Sequence, residues 1–221
     1  MRKALITGGS RGIGKAIANK FRDHGYEVFT PTRQELNLLD GESINAFVEK
    51  YKDETFDVIV NNAGINDIHE ITDITDIEIE QMMATNLVAP IKLLRGFVGN
   101  MKKNKYGRIV NIASIWAVVS KGGRCVYSAT KNGIHGVTNT LAVELAKDNI
   151  LVNTVCPGFT MTELTKKNNT ADEIARIAAD IPMQRMAEPE EIAAVVYFLC
   201  SEENTYLTGQ KITVDGGFSE K

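Results

Sequence analysis

Apolar positions along the chain switch repeatedly between a strand-like and a helical period, and each switch predicts an element. "KALIT" is a short continuous apolar run, after which Ile13, Ala16, Ile17 and Phe21 recur at helical spacing until Gly25 stops the helix. "EVFT" predicts a second strand, and Ile44, Phe47, Val48 and Tyr51 mark a helix after Asp40. The β-branched run "FDVIVNNAG" predicts a buried strand ending in a turn. A long helix follows, entered through the capping box of Thr75 with Glu78. "GRIVNIAS" (strand), "VYSATKNGIHGVTNTLAVELAKD" (helix), "ILVNTVCPG" (strand), "EPEEIAAVVYFLCSEE" (helix) and "KITVDGG" (strand) complete the chain. The polar stretch "TELTKKNNTADE" reads as a mobile connection. Such alternation predicts an α/β fold, a Rossmann-type doubly wound parallel sheet with helices on both faces.

Composition narrows the function classes. At 221 residues and 43% hydrophobic content the chain can bury one sizeable core, so a single domain spanning 1–221 is expected. Lys and Arg number 25 against 28 Asp and Glu, with no dense basic run, which gives no electrostatic reason to expect nucleic acid or an anionic membrane. Small molecules and further copies of the chain are the expected partners. Cys125, Cys156 and Cys200 are odd in number and far apart, and His24, His69 and His135 show no ligand spacing, so no metal is assigned. "MRKALITGG" is too polar for a signal peptide and no apolar run of about 18 residues follows. A cytoplasmic location is expected.

Two motifs suggest chemistry. "TGGSRGIG", Thr7 to Gly14, lies between the first strand and the first helix, where backbone N–H groups and the helix dipole can receive a pyrophosphate. In "YSATK", Tyr127 and Lys131 are four residues apart and project from one helical face. A tyrosine near its ordinary pKa of about 10 exchanges protons poorly at neutral pH; a nearby ammonium favours the phenolate and fits the group for acid/base work.

The spacing T-G-x-x-x-G-x-G resembles the short-chain dehydrogenase/reductase family, of the 3-oxoacyl-carrier-protein-reductase-like kind. The matches continue in that family's order: "NNAG" at Asn61 to Gly64, Asn86 in the long helix, Ser114 thirteen residues before Tyr127, "YSATK", "PGFTMT" and "LTGQKITVDGG". The resemblance implies a catalytic group of Asn86, Ser114, Tyr127 and Lys131. Tyr127 would be the acid/base, Ser114 would bond the reacting oxygen, and Lys131 would tune Tyr127 and hold the nicotinamide ribose. It implies cofactor contacts from Gly8, Ser10, Arg11, Gly12, Ile13 and Gly14, from Asn62, Ala63 and Gly64, from Tyr127 and Lys131, and from Pro157, Gly158, Thr160 and Thr162. The substrate loop would fall at about 160–186, with Trp116, Lys121 and Arg124 beside the substrate, and the protein would form a homodimer or homotetramer. Asn86 would kink its helix. Pro90 has no N–H for the Asn86 carbonyl, and we expect it to reinforce that kink.

The family's acidic residue for the adenosine 2′-hydroxyl falls at Thr32, followed by Arg33. A carboxylate cannot sit beside a 2′-phosphate whereas an arginine bonds it, which favours NADP (NADPH) over NAD. Arg11 matches a second basic position, and Asn37 and Leu38 would meet the adenine. Between Arg33 and Asn37 the chain is far too short for the helix of a parallel crossover. The family's third strand is therefore expected to be short, irregular or absent, leaving one sheet edge open. The implied activity is hydride transfer between the nicotinamide and a carbonyl or secondary alcohol. The alternatives are a non-catalytic dinucleotide-binding regulator, or a sugar-nucleotide-modifying relative with T-G-x-x-G-x-x-G and a larger C-terminal domain.

Overall fold

The computed structural model describes residues Met1–Lys221. Six parallel strands form one sheet: β1 (Lys3–Ile6), β2 (Glu27–Phe29), β3 (Val58–Asn61), β4 (Gly107–Ile112), β5 (Ile150–Pro157) and β6 (Lys211–Val214), in the order β2-β1-β3-β4-β5-β6. The period of two along each strand sends alternate residues to opposite layers. Leu5, Ile59, Ile109 and Val152 stand in register across β1, β3, β4 and β5. That row packs on α2 (Gly41–Lys50), α4 (Ala89–Asn104) and α5 (Cys125–Leu145) through Phe47, Phe97 and Leu145. Ile6, Val60 and Val110 face the other way, onto Ile17 and Phe21 of α1 (Gly12–Asp23) and Val196 of α8 (Pro189–Cys200). Strands β3, β4 and β5 are buried throughout, whereas β2 and β6 are half-buried.

Two strand positions beyond the row of Ile59, Ile109 and Val152, the register becomes polar toward the C-terminal ends of the strands. Asn61, Asn111 and Thr154 align there, and Asn61 Nδ2 donates to Asn111 Oδ1 at 2.8 Å. Thr138 of α5 closes the row, accepting from Asn111 Nδ2 at 2.9 Å and from the Thr154 hydroxyl at 2.8 Å. The bonds satisfy most of the polar groups that the sheet buries here, Asn61 Oδ1 excepted, and tie the fourth turn of α5 to β4 and β5.

Two regions differ from the sequence reading, and a third follows it. The predicted long helix is broken: α3 (Asp76–Met83) passes through a π-helical turn over Ala84–Val88 into α4, and Pro90 stands in the first turn of α4. A π turn adds a residue to one helical turn, and a proline that cannot donate to the Asn86 carbonyl favours that irregularity here. The polar stretch expected to be mobile folds into α6 (Glu163–Asn168) and α7 (Ala171–Ala179). Thr162 caps the first, and Thr170 with Glu173 forms a capping box for the second. The third strand of the family pattern is absent, so β2 is the sheet edge. In its place the chain turns at Thr32, where Leu36 N–H donates to the Thr32 carbonyl at 2.9 Å, and Leu36 plugs the core at 5% exposure. No helix is long and apolar enough to cross a membrane.

Candidate active site

The glycine loop follows β1, and its shape is set by contacts that only glycine allows. Gly8 has φ +67°, and a Cβ on Gly14 would lie 2.2 Å from the Gly8 carbonyl oxygen. Thr7, which the sequence reading did not single out, locks this loop to the "NNAG" turn. Its hydroxyl oxygen accepts from Asn62 N–H at 3.0 Å and from Ala63 N–H at 3.1 Å, while Asn62 Nδ2 donates to the Thr7 carbonyl at 3.0 Å. Arg11, the N-cap of α1, makes no side-chain cap, and the first turn of α1 carries no acidic residue. The first N–H groups of the helix and its positive end are thus left for an anion.

A cleft of about 670 Å³ opens over this loop. Gly8, Ser10, Arg11, Gly12, Ile13 and Gly14 line it, as do Thr32, Arg33, Asn37, Leu38, Asn62, Ala63, Gly64, Tyr127 and Thr162. Lys131 is not in that lining, and neither are Pro157, Gly158 and Thr160. The last three carry the chain from β5 to Thr162, whose Cγ2 would lie 3.3 Å from a Cβ on Gly12. A dinucleotide fits these residues in chemistry: close backbone approach at the glycines, free helix N–H groups for the pyrophosphate and an apolar slot beside Leu36 and Leu38. At the slot's far end Asn37 N–H donates to Ser43 Oγ at 2.9 Å and Asn37 Oδ1 accepts from Leu39 N–H at 3.2 Å, so that oxygen shapes the turn. Glu35 was not anticipated. Its carboxylate accepts from Thr32 N–H at 2.8 Å and from the Thr32 hydroxyl at 2.9 Å.

Four predicted residues come together behind the cleft, with Tyr127 alone among them in its lining. Ser114 follows β4 in extended conformation, 7% exposed, and its Oγ accepts from Trp116 N–H at 3.2 Å. Tyr127 lies in the first turn of α5, and Lys131 one turn on, with Nζ 5.6 Å from the Tyr127 ring centroid. Lys131 is 4% exposed and donates to the Ile112 carbonyl at 2.8 Å. Asn86, in the π turn, donates from Nδ2 to the Ile65 carbonyl at 2.8 Å and to Thr130 Oγ1 at 3.2 Å, and its Oδ1 accepts from Ile65 N–H. A Cβ on Gly64 would lie 3.2 Å from Asn86 Oδ1 and 3.4 Å from Lys131 Nζ, so Gly64 is what lets these two approach.

Burial outweighs the Ser114 hydroxyl bond and the Arg124 charge and leaves the Tyr127 phenol above its ordinary value; the Lys131 ammonium, expected from sequence to favour the phenolate, is not among the groups that shift it. Burial also lowers the Lys131 ammonium to about 8. The group can therefore hold one reacting oxygen between a serine hydroxyl and a phenol, beside a lysine that titrates near neutral pH. Phe159 and Phe218, also missed from sequence, pack edge-on against Trp116 at 6.0 and 6.3 Å and wall the far side. Burial raises the thiol of Cys156, so it is no thiolate nucleophile.

Residues 30–219 match the family model described as Enoyl-(Acyl carrier protein) reductase. Curated relatives agree over nearly the full length. The 3-oxoacyl-[acyl-carrier-protein] reductases FabG of Vibrio cholerae and Aquifex aeolicus are 36% and 38% identical, covering 97% of this chain and 96% of theirs. The chain belongs to the short-chain dehydrogenase/reductase family. Among solved structures of similar fold, one described as a short chain dehydrogenase/reductase family protein superposes with a TM-score of 0.89 at 30% identity, covering 99% of this chain and 97% of that one. The aldohexose dehydrogenase of Thermoplasma acidophilum superposes with a TM-score of 0.91 at 27% identity, covering 100% and 94%. As a short-chain dehydrogenase/reductase the protein is an NAD(P)-dependent oxidoreductase.

Proposed function

We propose that the protein is an NADPH-dependent reductase of a carbonyl compound, or equally the alcohol dehydrogenase of the reverse direction. The observation that carries this reading is the grouping of Ser114, Lys131 and Asn86 around Tyr127 and Gly64, which line a cleft built on a glycine loop. The bound nicotinamide cofactor supplies or accepts the hydride. In reduction, Ser114 Oγ–H donates to the substrate oxygen and orients it, and Tyr127 Oη–H delivers the proton to that oxygen; in oxidation Tyr127 takes the proton back. Lys131 stabilises the phenolate left on Tyr127 and bonds the cofactor ribose through N–H donors not given to Ile112. Asn86 holds the Ile65 backbone and Thr130, and Thr130 in turn donates to the Tyr127 carbonyl at 2.8 Å, which fixes the start of α5. The segment at about 160–186, carrying α6 and α7, covers the substrate side.

Arg11 and Arg33, both in the cleft lining, support NADPH. A second reading of the coenzyme, NADH, has one observation in its favour: the Glu35 carboxylate bound to Thr32. Retention of all four site residues speaks against a regulator without chemistry, and the T-G-x-x-x-G-x-G spacing of the glycine loop is not the T-G-x-x-G-x-x-G of the sugar-nucleotide kind. Further copies of the chain are the expected macromolecular partner, met through apolar side chains such as Val143 at 84% exposure on α5; sedimentation velocity reads the copy number.

The test is NADPH absorbance with a panel of ketones, oxo acids and oxoacyl thioesters. Wild-type protein turns over at least one class, and Tyr127→Phe lowers kcat by about 100-fold or more. Tight NADPH binding without turnover of any compound would falsify the reductase reading.

A further inference from the structure

The loop between Ser114 and Tyr127 contains a cation with no counter-charge. Arg124 immediately precedes α5, three residues before Tyr127, and its Cζ lies 5.7 Å from the Trp116 ring centroid. Its Nε and Nη1 are shielded from solvent and donate to no acceptor. The only ionisable group acting appreciably on it is the Tyr127 phenol, and burial draws the guanidinium down from its ordinary range. A second cation, Lys121, stands with Nζ 5.8 Å from the same indole. The carboxylate nearest this loop, Glu70, comes only within 3.9 Å of where a Gly122 Cβ would be and pairs with neither cation.

Two guanidinium nitrogens shielded from water and left without an acceptor cost folding free energy, because that part of the charge is neither solvated nor paired. Stacking on Trp116 recovers only part of that loss. An incoming anion supplies the rest. Place and chemistry decide which anion. Arg124 caps α5 three residues before Tyr127, and its charge and the Tyr127 phenol act on each other, while Trp116 bonds Ser114 Oγ through its backbone N–H. A substrate whose oxygen lies between Ser114 and Tyr127 thus places its nearest substituents against the guanidinium. The planar guanidinium fork matches a carboxylate. The wall of Trp116, Phe159 and Phe218 offers the rest of the substrate an apolar surface.

We propose that Arg124 is a specificity-determining residue that binds a carboxylate close to the reacting carbonyl, making the substrate a small oxo acid, or the hydroxy acid in reverse. The proposal rests on the carbonyl-reductase reading and names the substrate class within it. It separates this chain's substrate from a neutral oxoacyl thioester, the class that the names of the FabG relatives describe.

Two measurements test it. In the first, pyruvate and acetoacetate are compared with their methyl esters and with the acetoacetyl thioester of N-acetylcysteamine, using wild type, Arg124→Gln and Arg124→Lys. The expected result is a wild-type preference for acid over ester of about tenfold or more in kcat/KM, carried by KM, the size of one charge-assisted hydrogen bond. That preference collapses in Arg124→Gln and is partly restored in Arg124→Lys. Equal use of acid and ester in both pairs, better use of the thioester, or an unchanged preference in Arg124→Gln overturns the proposal. The second measurement does not depend on turnover. Trp116 is the only tryptophan, so its fluorescence reports ligands arriving beside Arg124. Saturable quenching by the acids and not the esters, weakened about tenfold or more in Arg124→Gln, supports the anion site even if no carbonyl compound is reduced. In that event it is the reductase reading that fails. No difference in quenching between acid and ester removes the anion site and leaves the reductase reading standing.

Discussion

Glu35 bonds Thr32 through the backbone N–H and the hydroxyl, and the backbone bond chiefly, with the hydroxyl bond, holds its carboxyl below the usual carboxylate range. It is therefore anionic at neutral pH, on the residue where the family pattern places the group that reads the adenosine 2′ position. Arg33 and Arg11 pull the choice toward NADPH; Glu35 opposes it. Glu35→Gln should raise the ratio of kcat/KM with NADPH to that with NADH several-fold, and Arg33→Ala should lower it. A ratio untouched by Glu35→Gln would show that the carboxylate stands clear of the coenzyme. The signature Thr-x-x-Glu is legible in "TRQE", but no long apolar-periodic run follows it, so nothing in the sequence marks it as a cap. Arg33 was readable because charge type alone carries the argument. Glu35 was not, because its effect depends on where a single turn folds the carboxylate.

Elements whose function rests on backbone shape were the easiest to read. "TGGSRGIG" identifies itself because glycines at those positions have one physical use, and the structure gives each its reason in a positive φ or a contact a Cβ would occupy. A comparison of two glycines makes this measurable. Gly99, on the exposed face of α4 with nothing within 4 Å of its Cβ position, is a helix-interior glycine without a packing reason. Gly99→Ala should stabilise the protein by about 0.5–1 kcal/mol in chemical melts. Gly14→Ala, whose Cβ would meet a backbone oxygen at 2.2 Å, should abolish NADPH binding by calorimetry. If Gly14→Ala bound normally, the loop would not be the grip that its geometry describes. The π turn was only half legible. Pro90 and Asn86 mark where the long helix is disturbed, but nothing local states that the disturbance is a widened turn and not a simple bend. Its cause is tertiary: Asn86 must face Ile65 and Thr130 at once. The helices at 163–179 were missed for the opposite reason. Their signals are local, in the Thr162 cap, the "TADE" box and the one-sided Ile174 and Ile177 of α7, but the helices are short and bury no residue fully, so the polar composition outvoted them.

For the whole molecule, the buried lysine is a liability that the site retains. Lys131 in the fold holds its proton only to about 8, against an ordinary lysine value of 10.5. Below about 8 both folded and unfolded chains carry the proton, and the fold bears the full cost of the desolvated ammonium, about 3 kcal/mol. From about 8 to 10.5 the unfolded chain binds more protons, so the cost is relieved and this group's contribution to stability rises with pH. Lys131→Met should thus be more stable than wild type at pH 7, by about 1–3 kcal/mol after the loss of the bond to Ile112. The gap should close towards pH 10, as urea melts at the two pH values would show; a gap independent of pH would mean that the ammonium is not desolvated. The polar row of Asn61, Asn111, Thr154 and Thr138 places this cost in the central strands, where the sheet is buried throughout. The edge at β2 lies elsewhere. There a whole strand and its crossover helix are missing relative to the family pattern, while the glycine loop, the cleft and the catalytic end of β4 keep their geometry. The proposed site and this margin are therefore separate: the four residues proposed for the chemistry stand after β4, in α5 and in the π turn, and a change of chain length beyond β1 would leave them unmoved.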